Sequence, residues 1–554
     1  MPLSRITVII VTTIIIFLPL GILLYQSLLD APFFQPEKNP GLSAYRFIFD
    51  DPDFWSAFKN SLYISFGMLV VAVPLGGILA FLMVRTDLPG KRWIEPLMLI
   101  PVFVCPMVLC FGYVVSVGPA GYFSLWVQHL AGSVPWNLYS MASIVLIAGL
   151  THVPHVYLYS SAALRNLGSD VEEAARVAGA GPFQVALTVS LPMVMPAFLY
   201  SGLLVFFLGF QVFGLALVLG DPEGHLVLST YLYKLTNKLG TPSYHLMAAV
   251  AICIVAITLP LVLSQRFLLR NAGKYVTLKG KGVRQRLLPL GGWRWIAAGL
   301  VFVWLAVTVL LPLGGIVFRA FVTNWGEGTT LVETLTLNNF KEVFAQATLL
   351  RGILNTVLLG VLGGALSVIC YTLIGLASHR RRNGWTRLLD YTVMIPRAIP
   401  GLLAGLAFLW VFLFIPPLTP LRTTLFSLWL AYSVVWLAYG MRLISSSLLQ
   451  VGPELEEGAR VTGATPGQVS RHVTLPLIRY GMLASWLLIF MIFEREYSTG
   501  VYLLGPGTEV IGSLLVSLWG GGAIEIVSAL SFINIILVSA GMGIALRYGV
   551  KLND

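Results

Sequence analysis

The chain has 554 residues, of which 57% are hydrophobic and only 11% are charged, and its net charge is +11. Soluble domains carry about 25% charged residues, so this composition excludes an ordinary soluble protein and indicates a polytopic membrane protein. The basic residues are concentrated in loops between apolar segments, so they predict membrane topology rather than nucleic-acid binding. The four cysteines lie inside apolar runs without the spacing of metal ligands, so we expect them to pack and expect no metal site.

Long apolar segments dominate the chain from its beginning. A helix that crosses a bilayer needs about 20 apolar residues. The sequence therefore predicts an all-α fold with about twelve transmembrane helices. The predicted spans are 6–28, 58–84, 95–117, 141–162, 192–219, 244–268, 293–318, 350–377, 389–415, 424–447, 476–503 and 523–547.

A basic segment separates the first six spans from the last six. It covers residues 269–292, and the stretch from Arg266 to Arg294 contains eight Lys or Arg residues and no acid. Cytoplasmic loops are enriched in Lys and Arg, so we expect this linker to be cytoplasmic. Because an even number of spans returns the chain to the same side, both termini are also expected in the cytoplasm. The predicted halves are residues 1–268 and 293–554.

One stretch of sequence occurs twice, 284 positions apart. Residues 172–192 and 456–476 are identical at thirteen of 21 positions. Other pairs, such as Asn60 with Asn355, lie 295 positions apart, so the repeat extends beyond this stretch. Two halves of six spans each share one orientation, which predicts a parallel duplication with a pathway between the halves.

Each copy of the repeated stretch lies between apolar spans. We predict that residues 169–191 and 453–475 each form two short helices outside the bilayer, on the same side as the linker. Gly179 and Gly463 are expected to end the first helix of each pair, because glycine tolerates the left-handed conformation of a helix end. Such a helical turn has a shape that fits a groove on another protein.

This pattern resembles the EAA loop of ABC-importer permeases: Glu-Ala-Ala, three residues, Gly, and then a Leu-Pro pair. In the second copy Gly458 replaces the first alanine. The resemblance implies a fused type I importer permease with two parallel-related six-helix halves, in which each loop is a coupling helix. The residues assigned to coupling are Glu172, Glu173, Ala174, Ala175 and Gly179 in the first copy, and Glu456, Glu457, Ala459 and Gly463 in the second.

The resemblance also implies partners and a location. Two ATP-binding-cassette ATPase subunits would dock on the coupling helices, and Glu173 and Glu457 would anchor the loops by charge or by helix capping. A periplasmic or lipid-anchored binding protein would deliver the solute, and the chain would lie among the lipids of a bacterial inner membrane. The sequence has no phosphate-binding loop and no catalytic motif, so we expect no enzyme activity and no cofactor on this chain. ATP and magnesium would bind the ATPase subunits.

One group of charges falls within a predicted span. Glu494, Arg495 and Glu496 follow an apolar run in the eleventh span, and three consecutive charges suit a break in a helix that lines a cavity. The candidate substrate pathway therefore comprises these three residues with Tyr497, and with Gln211 at the matching place in the first half. The alternative interpretation is a buried Arg–Glu pair that fixes packing.

The solute is predicted from the resemblance alone. Fused permeases of the ferric-iron type are similar to this chain, so ferric iron is the first expectation. Similar fused permeases carry thiamine, phosphonates such as 2-aminoethylphosphonate, or sugar phosphates, and these remain open. A secondary transporter that uses an ion gradient through Glu494 and Glu496 is the alternative from another class.

Overall fold

The structure is a computed structural model that describes residues 3–166, 169–237, 243–272, 287–323, 325–326, 334–380 and 383–547. Within these ranges all regular elements are helical, and strand pairing is limited to three isolated bridges. In the described part of the chain, ten helices are long and apolar enough to cross a membrane, and two bent helix pairs raise the number to twelve if each pair is one span. The predicted all-α membrane fold is confirmed.

The helices of the first part of the chain run from the first span to the span before the linker. They are α1 (Leu3–Ser27), α2 (Ser43–Asp50), α3 (Pro52–Arg85), α4 (Lys91–Phe103), α5 (Pro106–Val117), α6 (Tyr122–Ala131), α7 (Met141–Asn166), α8 (Ser169–Val177), α9 (Pro182–Val185), α10 (Leu191–Phe210), α11 (Leu228–Asn237) and α12 (Tyr244–Ala272).

The helices of the second part follow in the same way. They are α13 (Trp293–Leu305), α14 (Leu311–Ala320), α15 (Asn338–Ala345), α16 (Ala347–Leu358), α17 (Gly364–Ser378), α18 (Gly384–Thr392), α19 (Gly401–Phe414), α20 (Leu425–Val435), α21 (Leu437–Gln450), α22 (Pro453–Val461), α23 (Pro466–Val469), α24 (Leu475–Arg495), α25 (Ile511–Gly520) and α26 (Ile524–Arg547).

The third predicted span, 95–117, is wrong as a single helix. The chain breaks at Val104 and Cys105 between α4 and α5, and α5 begins at Pro106. Proline disfavours helical geometry in the residue before it, so α4 has to end upstream. The stretch that qualifies as a span is Pro106–Ala131. The ninth predicted span, 389–415, is also not a single helix. Its two helical parts, Gly384–Ala398 and Gly401–Phe414, meet at a bend of 110°, and Pro400 lies in the break.

The fifth and eleventh spans end earlier than predicted. Helix α10 ends at Phe210 rather than at residue 219, and α24 ends at Arg495 rather than at residue 503. After Arg495 the backbone becomes extended at Glu496. The predicted break at the group of charges is therefore confirmed.

The chain folds into two compact units that differ from the halves predicted from the sequence. One unit comprises Met1–Ile48, Leu239–Val255 and Leu337–Val550. The other is built mainly from Phe49–Lys238 and Ala256–Thr336. The first span thus belongs with the second-half helices, and the seventh span belongs with the first-half helices. The predicted boundary at 269–292 stays a prediction, since residues 273–286 lie outside the described ranges.

Each exchanged helix is packed closely in its unit. Helix α1 lies against α17, α18 and α19, and Tyr25 contacts Phe414 edge to face at 6.1 Å between ring centroids. Helix α14 lies against α5, where Ser116 Oγ donates to the carbonyl of Leu311 at 2.8 Å. A Cβ at Gly112 would lie 2.2 Å from the carbonyl oxygen of Pro312. Small residues of this kind let two membrane helices approach closely.

Candidate functional site

The two repeated segments have the same local structure. Each consists of a nine-residue helix (α8 or α22), a glycine turn, a four-residue helix (α9 or α23) and a five-residue π-helical turn. The π turns, Ala186–Ser190 and Ser470–Thr474, lie directly before the helices that carry the Leu-Pro pairs. Proline at the second position of these helices cannot donate the usual backbone hydrogen bond, which suits a local widening of the helix.

Glycine ends α8 and α22 in the predicted way. Gly179 has φ +93° and Gly463 has φ +89°, both in the left-handed region. The amide of the next residue bonds back five positions, from Ala180 to Ala175 and from Ala464 to Ala459. This pattern is the Schellman motif. A Cβ at either glycine would meet no atom within 4 Å, so only the backbone conformation demands glycine there.

A buried carboxylate fixes the first segment to the end of α3. Glu172 accepts a hydrogen bond from Ser190 Oγ at 2.7 Å and lies 3.5 Å from Nη2 of Arg85. Arg85 is the last residue of α3, and its side chain is only 2% exposed. The glutamate thus joins the start of the segment, its π turn and a membrane helix.

The second segment repeats this arrangement with one more donor. Glu456 accepts from Thr474 Oγ1 at 2.8 Å, from His379 Nε2 at 3.0 Å and from Arg380 Nε at 3.2 Å. Burial opposes ionisation of Glu456, but these three hydrogen bonds together lower the pKa of its carboxyl below the ordinary value. Arg380 also donates to the carbonyl of Val451 and has a left-handed backbone with φ +60°.

We call these two groups the anchor clusters: Arg85, Glu172 and Ser190 in one unit, and His379, Arg380, Glu456 and Thr474 in the other. Glu173 and Glu457, to which the sequence analysis gave the anchoring role, are exposed. Their role stays a prediction, while the carboxylates that the structure places in the anchor clusters are the preceding ones, Glu172 and Glu456. A signal for this was present, because Arg85 and Arg380 are 295 positions apart, the same offset as Asn60 and Asn355.

The alanines of the repeat lie at the surface or close to it. Ala174 is exposed, and Ala175 and Ala459 are half-buried. With the exposed Glu173 and Glu457, they leave a face of each segment on which another protein could dock. Docking itself stays a prediction for these residues.

The three charged residues at the end of α24 lie in different environments. Glu494 is 1% exposed, and its carboxylate oxygens have no hydrogen-bond donor in the described part of the chain. Its side chain lies beside Gly360, where a Cβ would come within 2.6 Å of Oε1. Asn534 Nδ2 donates to its backbone carbonyl at 2.8 Å. Glu494 therefore faces the protein interior in this structure.

Glu496 stabilises the break in the chain. One of its carboxylate oxygens accepts four hydrogen bonds of 2.9–3.0 Å, from the backbone amides and the hydroxyls of Ser498 and Thr499. The other accepts from Trp436 Nε1 at 2.8 Å. Because both of its carboxylate oxygens accept hydrogen bonds, Glu496 stabilises the turn after α24. Tyr497 is buried beside it.

Two arginines lie over aromatic rings in the same unit. The guanidinium carbon of Arg495 is 5.6 Å from the ring centroid of Trp436, and that of Arg397 is 5.7 Å from the ring of Tyr439. The rings of Trp436 and Tyr439 are themselves 5.2 Å apart. Cation–π contact holds a guanidinium in place while leaving its positive charge in the site. No sequence pattern singled out Arg397, because it follows a proline in an apolar run with no acid beside it.

The matching positions in the other unit are uncharged or weakly basic. Gln211 follows α10 where Arg495 ends α24, and Val102 stands where the second half has Arg397. His152 and His155, the counterparts of Trp436 and Tyr439, stack with 5.3 Å between ring centroids. Nδ1 of His152 is 2.7 Å from the carbonyl oxygen of Ala148. Among the described residues no three His, Cys, Asp or Glu side chains are placed to hold a metal ion.

Asn60 and Asn355 have the same role in their units. Asn60 Nδ2 donates to the carbonyl of Leu226 at 2.9 Å, just before α11. Asn355 Nδ2 donates to the carbonyls of Gly507 and Glu509, just before α25. The next residue, Ser61 or Thr356, accepts from the amide that begins that helix. Each pair therefore fixes the segment that follows the helix break to a long membrane helix.

Comparison with known proteins agrees with this architecture. Residues 72–274 and 371–548 match the family model described as "Binding-protein-dependent transport system inner membrane component". The ferric transport system permease protein of Actinobacillus pleuropneumoniae is 23% identical over 87% of this chain and 69% of its own length. The Fe(3+)-transport system permease protein 2 of Haemophilus influenzae is 22% identical over 83% of each chain. The molybdenum transport system permease protein of Escherichia coli strain K12 is 27% identical over 39% of this chain and 92% of its own length.

The family match covers more than half of the chain and includes both repeated segments. It agrees with the helical membrane fold and with the duplication. The chain belongs to the inner membrane components of binding-protein-dependent transport systems and is a permease of the ABC importer type.

Proposed function

We propose that this permease imports ferric iron across a bacterial inner membrane by alternating access, driven by two separate ATPase subunits. A binding protein delivers the solute to the outer side, and the repeated segments face the cytoplasm with both termini. ATP and magnesium bind to the ATPase subunits, whose closure moves the segments.

The pair of anchor clusters is the observation that carries the coupling of this permease to ATPase subunits. Each ties a surface segment to a membrane helix through a buried carboxylate, so a force applied to the segment reaches the helix rather than bending a loop. Segments without such a connection would move independently of the membrane helices. Glu173 and Glu457 are exposed, so in this proposal they contact the ATPase subunits.

Ferric iron is supported by the relatives that align over most of the chain. A second candidate solute is a small oxyanion, such as a phosphonate, a sugar phosphate or molybdate. Arg397 and Arg495 favour it, because both carry positive charge beside the paired rings of Tyr439 and Trp436. These rings lie next to the end of α24, where the pathway is predicted. Glu496 is occupied by its own turn and Glu494 is buried, so neither carboxylate is presented to a cation in this structure.

The first experiment identifies the partners. The tagged chain is solubilised in mild detergent, and the proteins that co-purify are identified by mass spectrometry. We expect a protein with a phosphate-binding loop at about two copies per chain. A chain that purifies alone and transports in vesicles without ATP would support the gradient-driven alternative instead.

The second experiment distinguishes the solutes. Proteoliposomes containing the permease, its co-purified ATPase and its binding protein are supplied with radioactive ferric iron or with labelled molybdate or phosphonate. If the solute is an anion, Arg495→Gln should lower uptake about tenfold, because a charged hydrogen bond to the anion is lost. The control Arg442→Gln makes the same charge change at an exposed position of α21. Iron uptake that is unaffected by Arg495→Gln, without anion uptake, would exclude the second candidate.

A further inference from the structure

A pocket of about 270 Å³ lies beside the second anchor cluster. It is formed by the start of α1, the end of α17 and the segment from α22 to the π turn, all within one unit. Its polar lining comes from Arg5, His379, Arg380, Glu456, Arg460, Ser470 and Thr474. The pocket is not needed for anchoring, because the anchoring hydrogen bonds run directly between side chains.

The lining carries an excess of positive charge. Arg5, Arg380 and Arg460 contribute three guanidinium groups, whereas Glu456 is the only carboxylate among the lining residues. That carboxylate already accepts hydrogen bonds from His379, Arg380 and Thr474. Its charge is therefore compensated within the cluster, and Arg5 and Arg460 add further positive charge to the lining. Ser470 places a hydroxyl at the same surface.

Part of the basic lining is special to the second copy, although Arg380 has a first-half counterpart in Arg85. Val84 occupies the first-half position that corresponds to His379. Arg5 reaches the pocket because α1 packs in this unit against α17. The shared structure of the coupling segments thus does not require the pocket, although Arg460 has a counterpart in Arg176.

The position of the pocket restricts its ligand. Arg5 begins the candidate span Arg5–Ser27. In the proposed topology the pocket is therefore at the cytoplasmic end of a membrane helix, where lipid headgroups are expected. The cytoplasmic leaflet carries anionic phospholipids, and basic pockets at the ends of membrane helices bind phosphate headgroups. Arginine forms paired hydrogen bonds with phosphate oxygens. The volume suits a headgroup rather than a whole lipid.

We propose that this pocket binds the phosphate group of an anionic ligand at the cytoplasmic membrane surface, either a phosphatidylglycerol-type headgroup or a soluble phosphate ester. The inference goes beyond the proposed transport function and shares with it only the cytoplasmic placement of the coupling segments. The bound phosphate would connect the start of α1 to α22, and so would hold the second coupling segment more firmly than the first.

The test measures binding without the ATPase or the transported solute. The full-length chain is purified in detergent, stripped of lipid, and mixed with phosphatidylglycerol, phosphatidylcholine or glycerol phosphate. Native mass spectrometry records retained lipid, and thermal unfolding records stabilisation by the soluble ester. We expect phosphatidylglycerol to be retained at least about tenfold more than phosphatidylcholine, because the pocket selects for negative charge. Stabilisation by glycerol phosphate alone, without lipid retention, would assign the site to a soluble phosphate ester.

Variants locate the binding. Arg5→Gln combined with Arg460→Gln should lower retention of the phosphate ligand at least about tenfold, and Arg460→Lys should keep most of it. Arg471→Gln is the matched control, because Arg471 is exposed on the same segment and does not line the pocket. Equal loss in Arg471→Gln, unchanged retention in the double variant, or no binding of either probe to the unaltered chain would overturn the proposal. Since uptake is assayed separately, failure here leaves the import proposal standing.

Discussion

Adjacent glutamates in each repeated segment have opposite environments. Glu456 is 3% exposed and takes part in an anchor cluster, while Glu457 is exposed. Consecutive side chains on a helix point in directions about 100° apart, so two neighbouring identical residues can serve two surfaces. The buried glutamate holds the segment to its own unit, and the exposed one remains accessible at the surface.

We expect Glu456→Gln to lower the free energy of unfolding by about 1–3 kcal/mol, because Arg380 and His379 lose a charged acceptor in a buried place. Glu457→Gln, the matched control, should change stability by less than about 0.5 kcal/mol. Thermal unfolding in detergent measures both. A larger loss in Glu457→Gln would show that the anchoring role belongs to the exposed residue after all.

The lowered pKa of Glu456 gives the second segment a defined response to acid. A carboxyl whose pKa is lower in the folded state stabilises that state above its ordinary pKa, near 4.5, and the stabilisation is lost as the pH falls through the lowered value. A spin label at exposed Gln468→Cys should therefore keep constant mobility around neutral pH and become more mobile as the pH falls through the lowered pKa of Glu456. Adding Glu456→Gln should remove this acid-dependent step. A step that persists in that variant would place the titrating group elsewhere.

The glycine turns decide how each coupling segment folds. Gly179→Val and Gly463→Val should each cost about 1–2 kcal/mol, because a β-branched residue is strained at positive φ although the surrounding space is open. Since the turn sets the direction of the segment, we expect ATP hydrolysis to continue while uptake falls severalfold. Hydrolysis and uptake are measured in the same proteoliposomes. Full uptake in both variants would exclude coupling through these turns.

The asparagine pair offers a comparison between the two units. Asn355 donates two hydrogen bonds to the segment before α25, and Asn60 donates one to the segment before α11. Each bond is worth about 0.5–1.5 kcal/mol. Asn355→Ala should therefore destabilise the protein about twice as much as Asn60→Ala in thermal unfolding. An equal or reversed order would mean that the extra bond contributes nothing measurable.

Periodicity and repeats predicted most of the elements, but not their breaks. The long apolar runs were sufficient for the spans, and the two matching glycines were sufficient for the turns. The third span was wrong because Cys105 and Pro106 lie inside an apolar run, and hydropathy does not register the geometry that proline imposes. The contacts of Glu172 with Arg85 and Ser190 were not predictable, because the choice between Glu172 and Glu173 depends on the direction in which α8 faces Arg85.

The chain folds as two units, and each unit contains segments from both sequence halves. Alignment at a fixed offset shows duplication, but it carries no information on which helix packs against which. The exchange of α1 and α14 depends on contacts such as Gly112 with Pro312, which are far apart in sequence. The repeat therefore predicts two halves, whereas the packing units depend on contacts that no sequence pattern shows.

Dividing the chain tests this exchange. Residues 1–268 expressed alone lack α17, α18 and α19, against which α1 packs, and lack α14, against which α5 packs. We expect the isolated half to reach a membrane level severalfold below that of the same half co-expressed with residues 293–554. Immunoblotting of membrane fractions measures this, with the undivided chain as reference. Equal levels with and without the second half would show that the first half folds by itself.

The packing of α1 has a consequence for biosynthesis. This helix leaves the ribosome well before the helices that cover it, which begin only at Gly364. During the interval it has to remain in lipid without its final neighbours. Its fully buried amide, Gln26, is already satisfied by Ala31 and Phe33, which are made immediately afterwards. The hydrogen bonds of this amide therefore form with residues next to it in the chain and do not depend on helices that are made later.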